Sequence, residues 1–352
     1  MNALIPTTCQ PAARPRALRP RLATLALSAS LFGAALLSSR PAAADAAPPT
    51  TPTELVDAMN GLFGKQTDHR AIHAKGIVLE GTFKPARGAA ALSKAPHLAG
   101  ATVPVLVRFS SFAGIPAIAD NDPLAAPRGM AIKFRPAGGP ESDIVSHSFN
   151  GFPTATAAEF TQLLVALGTS GPGTPAPTPV DRFLGTHPIA KTFLTTQAGP
   201  PVSFATLAYY GVNSFQFTNA QGVQRYGRYQ IVPAAGTQLL TKDQAAAAAK
   251  DYLEQEIVRR VGSTPVRYTL QVQLAEAGDR IEDPSVAWPD TRPVVVLGEI
   301  TVTRALADSD STQRALMFTP TAVPDGITPA DPMVTMRGAS YGVSYGRRHL
   351  PQ

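Results

Sequence analysis

Three groups of residues carry side chains whose types and spacing suit chemistry. The first lies in DPMVTMRGASYGVSYGRR, residues 331–348, where Arg337, Tyr341, Ser344 or Tyr345, and Arg348 fall on one broad face of a helix. Asp331 can cap that helix and Pro332 suits its first turn. A phenol ordinarily keeps its proton up to about pH 10, and a guanidinium one helical turn away favours the phenolate. Tyr341 is therefore either a metal or ligand contact or a tyrosine packed beneath an arginine at a helix surface. Gly338, Gly342 and Gly346 line the adjacent stripe. Each costs a helix about 1 kcal/mol relative to Ala, which calls for a close neighbour, a second helix or a large flat ligand.

The second group is HRAIHAKG, residues 69–76, which offers Arg70 and His73. The third is Arg108 with Ser110 in VRFSSFAG. A serine hydroxyl on one imidazole nitrogen leaves the other free to accept a proton, and a buried arginine can receive a carboxylate. The plainer alternatives are a packed histidine and a surface ion pair at a strand end. The six histidines include no HExxH pattern, and the one cysteine is Cys9 near the N-terminus, so zinc chemistry has no support.

The elements that would position these groups follow from periodicity and breakers. A helix is predicted over 53–63. Strand-like runs follow at 72–83, 103–112, 128–136 and 143–152, separated by loops rich in Gly, Pro, Asp and Asn that favour antiparallel pairing. Val103, Val105, Val107 and Phe109 share one parity, while Leu106, Arg108 and Ser110 share the other, as in a strand covered on both faces. Helices are predicted at 156–167, 181–196 and 242–261, and strands at 204–219, 223–233, 266–276 and 293–304. Antiparallel strands in a closed or covered sheet, with helices between them, are expected.

The N-terminal 46 residues read as a cleavable secretory signal. A basic stretch, an apolar run from Leu22 to Leu37 and small residues ending at Ala44 or Ala46 follow in order. The apolar run is short for a membrane span, so the mature chain, residues 47–352 as a single domain, is expected to be periplasmic or secreted without stable membrane insertion. Removing residues 1–46 takes away five Arg and one Asp and lowers the formal charge from +6 to +2. The basicity belongs mainly to the signal, and nucleic acid is not an expected partner. Cys9 leaves too, which excludes a cysteine-based peroxidase.

Taken in order, the segments resemble the haem catalase superfamily, and within it the short exported branch of catalase-related peroxidases. RAIHAKG is similar to the distal-histidine motif, VRFSSFAG to VRFSTVAG, and PRGMAIKF to RGFAVKF. DIVSHSFNGFP stands in the distal-asparagine region and NSFQFTNAQGVQRYGRYQIVP in the segment containing HTF. DPSVAWPDTRPVVVLGEITV is similar to a DPTKVWP segment, and RGASYGVSYGRR to the proximal tyrosine motif. The resemblance runs over residues 55–348 and implies an α+β fold, a catalase-like antiparallel β-barrel of about eight strands with helices around it. It implies haem b (iron protoporphyrin IX) with Tyr341 as iron ligand, Arg337 stabilising its phenolate, His73 as distal acid/base and Ser110 orienting it. It implies Arg70, Arg108 and Arg348 at the haem propionates, with Phe134 and Phe149 as ring-packing candidates. Asn150 is the candidate distal asparagine, although SHSFNGFP departs from the family's GNNTP in length and order.

The function implied is a haem-dependent peroxidase acting on hydrogen peroxide or organic hydroperoxides with a small organic reductant, as a monomer or small homo-oligomer. The chain stops just after the proximal motif and its N-terminal arm is brief, which favours the peroxidase branch. The alternatives are a monofunctional catalase and a non-turnover haem or lipid-hydroperoxide-binding protein.

Overall fold

The computed structural model describes residues 49–349; the expected secretory signal and Cys9 lie outside the described residues. Eight antiparallel strands form the frame: β1 (Gly76–Pro85), β2 (Val103–Ser110), β3 (Gly129–Phe134), β4 (Ser142–His147), β5 (Tyr209–Thr218), β6 (Gln224–Pro233), β7 (Val266–Leu274) and β8 (Val294–Ala305). They pair in the order β4-β3-β2-β1-β8-β7-β6-β5, and a β4–β5 pairing at His147 and Tyr210 closes the barrel. A short β9 (Ile327–Pro329), absent from the sequence expectations, adds to β5. The α+β barrel expected from the sequence is what the chain forms.

The two parities of β2 divide as the sequence reading requires. Val103, Val105, Val107 and Phe109 face the barrel interior beside Met130, Ile132 and Phe134 of β3. That core is aromatic: Phe109 stacks on Phe204 at 5.1 Å, and the hydroxyls of Tyr209 and Tyr268 both donate to the Phe204 carbonyl at 2.9 Å. The opposite parity faces outward in two rows that lead to the site. Ser110, Gly129 and His147 are register partners across β2, β3 and β4, as are Arg108, Ala131 and Val145.

Helices cover this outer face. Helices α1 (Pro52–Phe63) and α2 (Ala157–Gly168) each begin with a capping box, Thr51 with Glu54 and Thr156 with Glu159. They pack through Leu55, Met59, Phe160, Leu163 and Leu164, with Met333 of a later helix in the same cluster. The predicted helix at 181–196 is two, α3 (Pro179–Thr186) and α4 (Pro188–Thr195), because Pro188 lacks the amide hydrogen that a continuous helix needs. The predicted helix at 242–261 also divides, into α5 (Lys242–Ala247) and α6 (Tyr252–Ser263). The Lys250 carbonyl between them accepts from Asp120 N and Lys75 Nζ instead of a following helical amide. A short α7 (Ser309–Ala315) precedes α8 (Pro332–Arg347), which Asp331 caps by accepting from Met333 N.

Candidate active site

The strand predicted from residue 72 begins only at Gly76, and the four residues before it carry the site's imidazole. His73 has φ +57°, a left-handed conformation uncommon outside glycine. Its amide donates to the Phe112 carbonyl at 2.7 Å, and its own carbonyl accepts from Arg108 Nη2 at 3.0 Å. These bonds hold a backbone shape that a strand would not allow. The ring is thereby turned onto the outer face of the barrel, where Ser110 Oγ meets Nδ1 at 3.0 Å.

Gly129 makes room for this pair. A β-carbon there would lie 2.5 Å from Ser110 Oγ and 2.9 Å from His73 Nδ1. Phe112 meets the imidazole edge-on, with ring centroids 5.6 Å apart. Burial, followed by the nearby positive charge of Arg108, lowers the His73 pKa to about 3. The ring is consequently neutral at any ordinary working pH and able to accept a proton.

A cavity of about 700 Å³, its mouth included, extends from this pair to α8. Arg70, His73, Arg108, Ser110, Gly129 and Ala131 line one side, and Ser340, Tyr341, Ser344 and Arg348 the other. Val56 and Met59 of α1, with Met317 and Phe318, supply apolar walls. His73, Ser110, Tyr341, Arg70, Arg108 and Arg348, distant in sequence, thus share one cavity. Asn150 lies half-buried in the bend after β4, outside the lining. Phe134 points into the barrel core and Phe149 packs on Phe193 at 4.9 Å, so neither lines the cavity.

On α8 the serine and not the second tyrosine faces inward. Ser344 accepts from Ala71 N at 3.3 Å, whereas Tyr345 packs under the Arg348 guanidinium at 4.6 Å. Tyr341 Oη accepts from Arg337 Nη2 at 2.8 Å. Arg337 is held in turn by Asn213 Oδ1, and Asn213 Nδ2 donates to Asp331 Oδ2 at 2.6 Å. The carboxylate that caps α8 is therefore linked through an amide and a guanidinium to the phenol ten residues on. Asn213 belongs to the NSF segment singled out above, but nothing in the sequence pairs it with Arg337. Of the three glycines in α8, only Gly338 has the close neighbour expected: its β-carbon would meet Thr321 Cγ2 at 2.4 Å. Gly342 and Gly346 face open space.

The charge balance of the cavity is uneven. Arg70, Arg108 and Arg348 form no ion pair with a carboxylate among the described residues. Arg70 Nη2 donates to the Gln313 and Leu316 carbonyls, Arg348 to those of Arg314 and Leu316, and Arg108 Nε to Gln313 Oε1. Burial depresses all three, Arg348 to about 10; repulsion by neighbouring guanidiniums adds to it at Arg108, lowered to about 9, and at Arg70, lowered strongly. Three uncompensated cations, Arg108 and Arg348 buried and Arg70 partly so, call for an anionic occupant. Among the described residues no group of three or more His, Cys, Asp or Glu side chains is arranged for a bare metal ion. Haem needs no such group, since the porphyrin supplies four nitrogens and asks one axial ligand of the protein. Tyr341, the apolar walls and the three arginines match its iron, its faces and its two carboxylates.

The catalase family profile matches residues 50–349. A catalase-related peroxidase of Mycolicibacterium paratuberculosis is 36% identical over 298 residues, covering 84% of this chain and 93% of that protein. One from Synechococcus elongatus is 30% identical over 308 residues, covering 86% and 90%. The solved catalase A of Saccharomyces cerevisiae superposes with a TM-score of 0.72 at 21% identity, over 84% of this chain and 64% of that one. A fungal catalase gives 0.73 at 21%, over 84% and 63%. The chain spans just under two thirds of the length of those solved catalases. By its matched residues and its closed barrel, the chain belongs to the catalase family.

Proposed function

We propose that the chain is a haem-dependent peroxidase that reduces hydrogen peroxide or an organic hydroperoxide with electrons from a small organic donor. The observation that carries this is the cavity itself. A neutral imidazole oriented by a serine shares it with a phenol that accepts from an arginine, and three uncompensated guanidiniums flank them. The names of the two relatives at 36% and 30% identity support the peroxidase branch over the catalase branch.

Bound haem b supplies the two-electron chemistry that reduces the O–O bond. Tyr341 would hold the iron, and Arg337 would favour its phenolate by donating a charged hydrogen bond. Arg70, Arg108 and Arg348 would receive the two propionates. With Nδ1 engaged by Ser110, His73 uses Nε2 to take a proton from one peroxide oxygen and return it to the leaving oxygen. The apolar walls from Val56, Met59 and Met317 limit water around that transfer. The mature protein, residues 47–352, works outside the cytoplasm as a monomer or small homo-oligomer; N-terminal sequencing of exported protein tests the cleavage site.

The reading is tested on mature protein loaded with haem and given peroxide with and without a phenolic donor. Donor-dependent turnover with little oxygen release is expected, and His73→Ala should keep haem while losing about 100-fold or more of turnover. Vigorous oxygen release without a donor would assign the chain to the catalase branch. Equal turnover of the parent and His73→Ala would overturn the role of His73.

A further inference from the structure

His147 is the one residue of the outer Ser110–Gly129–His147 row that the reading above does not use. Neighbouring strands are about 4.8 Å apart, so Ser110 and His147 flank Gly129 on one face, with the His73 ring lying over the gap that Gly129 leaves. Were both rings protonated they would repel each other, and His147 also feels the charge of Arg337. The two residues before it, Val145 and Ser146, line the cavity, and His147 stands next to them at its edge, outside the lining itself.

The hydrogen bonds of His147 define its tautomer. Nδ1 accepts from Phe149 N at 3.3 Å, so in the neutral ring the proton resides on Nε2. Burial lowers the His147 pKa to about 3, which keeps that ring neutral. Nε2 is shut off from solvent and has no hydrogen-bond partner. A buried donor without an acceptor is destabilising; His97 Nε2 is unpaired as well, but His147 differs in standing at a strand end whose preceding residues line the cavity, where a ligand can meet the donor.

We propose that His147, and not Asn150, is the second distal group: its Nε2–H donates a hydrogen bond to the peroxide oxygen while His73 moves the proton. This rests on the haem-peroxidase reading. The division of labour is chemical. His73, bonded to Ser110, presents a proton acceptor, while His147, bonded to a backbone amide, presents a donor. A peroxide has both needs, since one oxygen gives up a proton as the other gains electron density. Asn150 lies three residues further on, in the bend beyond β4 and outside the register row.

Two measurements test it. The first is the affinity of the ferric haem-loaded protein for fluoride, an anion that accepts hydrogen bonds, read by absorbance at fixed pH. His147→Leu is expected to weaken fluoride about tenfold, His147→Asn to restore most of that, and Asn150→Ala to leave it within twofold. Unchanged affinity in His147→Leu, or a loss in Asn150→Ala as large as that expected for His147→Leu, overturns the assignment. The second needs no haem. Nitrogen-15 NMR of the mature protein should show His147 neutral and protonated at Nε2 from pH 5 to 8; an Nδ1-protonated or titrating ring overturns it. Failure of the parent to bind haem would count against the peroxidase reading, whereas normal haem binding with an indifferent His147→Leu would count against this inference alone.

Discussion

Arg337 Nη2 donates to the Tyr341 hydroxyl at 2.8 Å, one helical turn along α8, and it does so because Asn213 fixes the same guanidinium from β5. A flexible arginine on a helix surface gains little from such a contact, since ordering its side chain opposes it. Here the amide of Asn213, itself bonded to the capping Asp331, has already restricted the arginine. Hydrogen bonds to charged groups contribute about 1.5–3 kcal/mol. Arg337→Met is therefore expected to weaken haem binding about 10- to 150-fold, and Asn213→Ala by a smaller factor, both measured by haem titration of the apo protein. Equal affinity in all three proteins would show that Arg337 does not act on Tyr341.

Gly129 is a place where one added carbon should separate binding from turnover. Its β-carbon would lie 2.5 Å from Ser110 Oγ, so Gly129→Ala must displace the hydroxyl or the His73 ring. Overpacking of this kind costs about 1–3 kcal/mol. The expected outcome is a folded protein that retains haem, because Tyr341 and the arginines are untouched, but loses at least about tenfold in turnover through a misdirected base. Wild-type steady-state rates in Gly129→Ala would mean that the Ser110–His73 contact does not orient the base.

Stability should fall on the acid side. His73 and His147 are lowered to about 3 and His97 to about 4, burial being the first cause in each. The unfolded imidazoles titrate near 6.5. Between those values the unfolded chain binds more protons than the folded one, so stability is complete above about pH 6.5 and is lost as pH falls toward 3 to 4. Each ring accounts for about 2 kcal/mol between pH 7 and pH 5. His97 is apart from the cavity, stacked on Phe134 at 4.5 Å with Nε2 unpaired. His97→Leu should flatten the acid limb of a denaturant series by about a third while leaving haem binding intact; an unaltered slope would show that His97 is not among the groups that take up protons on unfolding.

The outer face also holds a buried ion pair that anchors one cavity wall. Lys133 Nζ meets Asp143 Oδ1 at 2.8 Å, and Asp143 Oδ2 accepts from Thr319 N at 2.8 Å, just after Met317 and Phe318. Lys133→Met leaves a buried carboxylate without its cation, an expected loss of about 3–5 kcal/mol. Lys133→Met combined with Asp143→Leu should recover much of it, since removing both charges avoids the uncompensated one. Denaturant midpoints of the two variants compare directly, and a double variant weaker than the single would reverse the argument.

Much of this was legible in order and type. The parity of β2 sorted its residues into two covered faces, because a strand must alternate them, and the fold shows which of the two is core. The capping Asp331 and the Arg337–Tyr341 spacing likewise follow from helix geometry alone. Where local patterns failed, a partner from elsewhere had taken over the backbone. Lys75 and Asp120 claim the Lys250 carbonyl and break a helix whose composition reads as continuous. Phe112 and Arg108 bend His73 out of the strand that its neighbours suggest.

The amino-acid order by itself determined most of the strands, the main helices and the groups able to do chemistry, since periodicity, caps and breakers act over a few residues. Only the tertiary structure decided that three arginines share a cavity without a carboxylate, that Asn213 restrains Arg337, and that His147 stands in line with Ser110 while Asn150 does not. Those relations depend on strand register and on packing between segments up to about 280 residues apart, such as Arg70 and Arg348. Pairings over such separations are set by the register and closure of the whole barrel, and no local pattern encodes them.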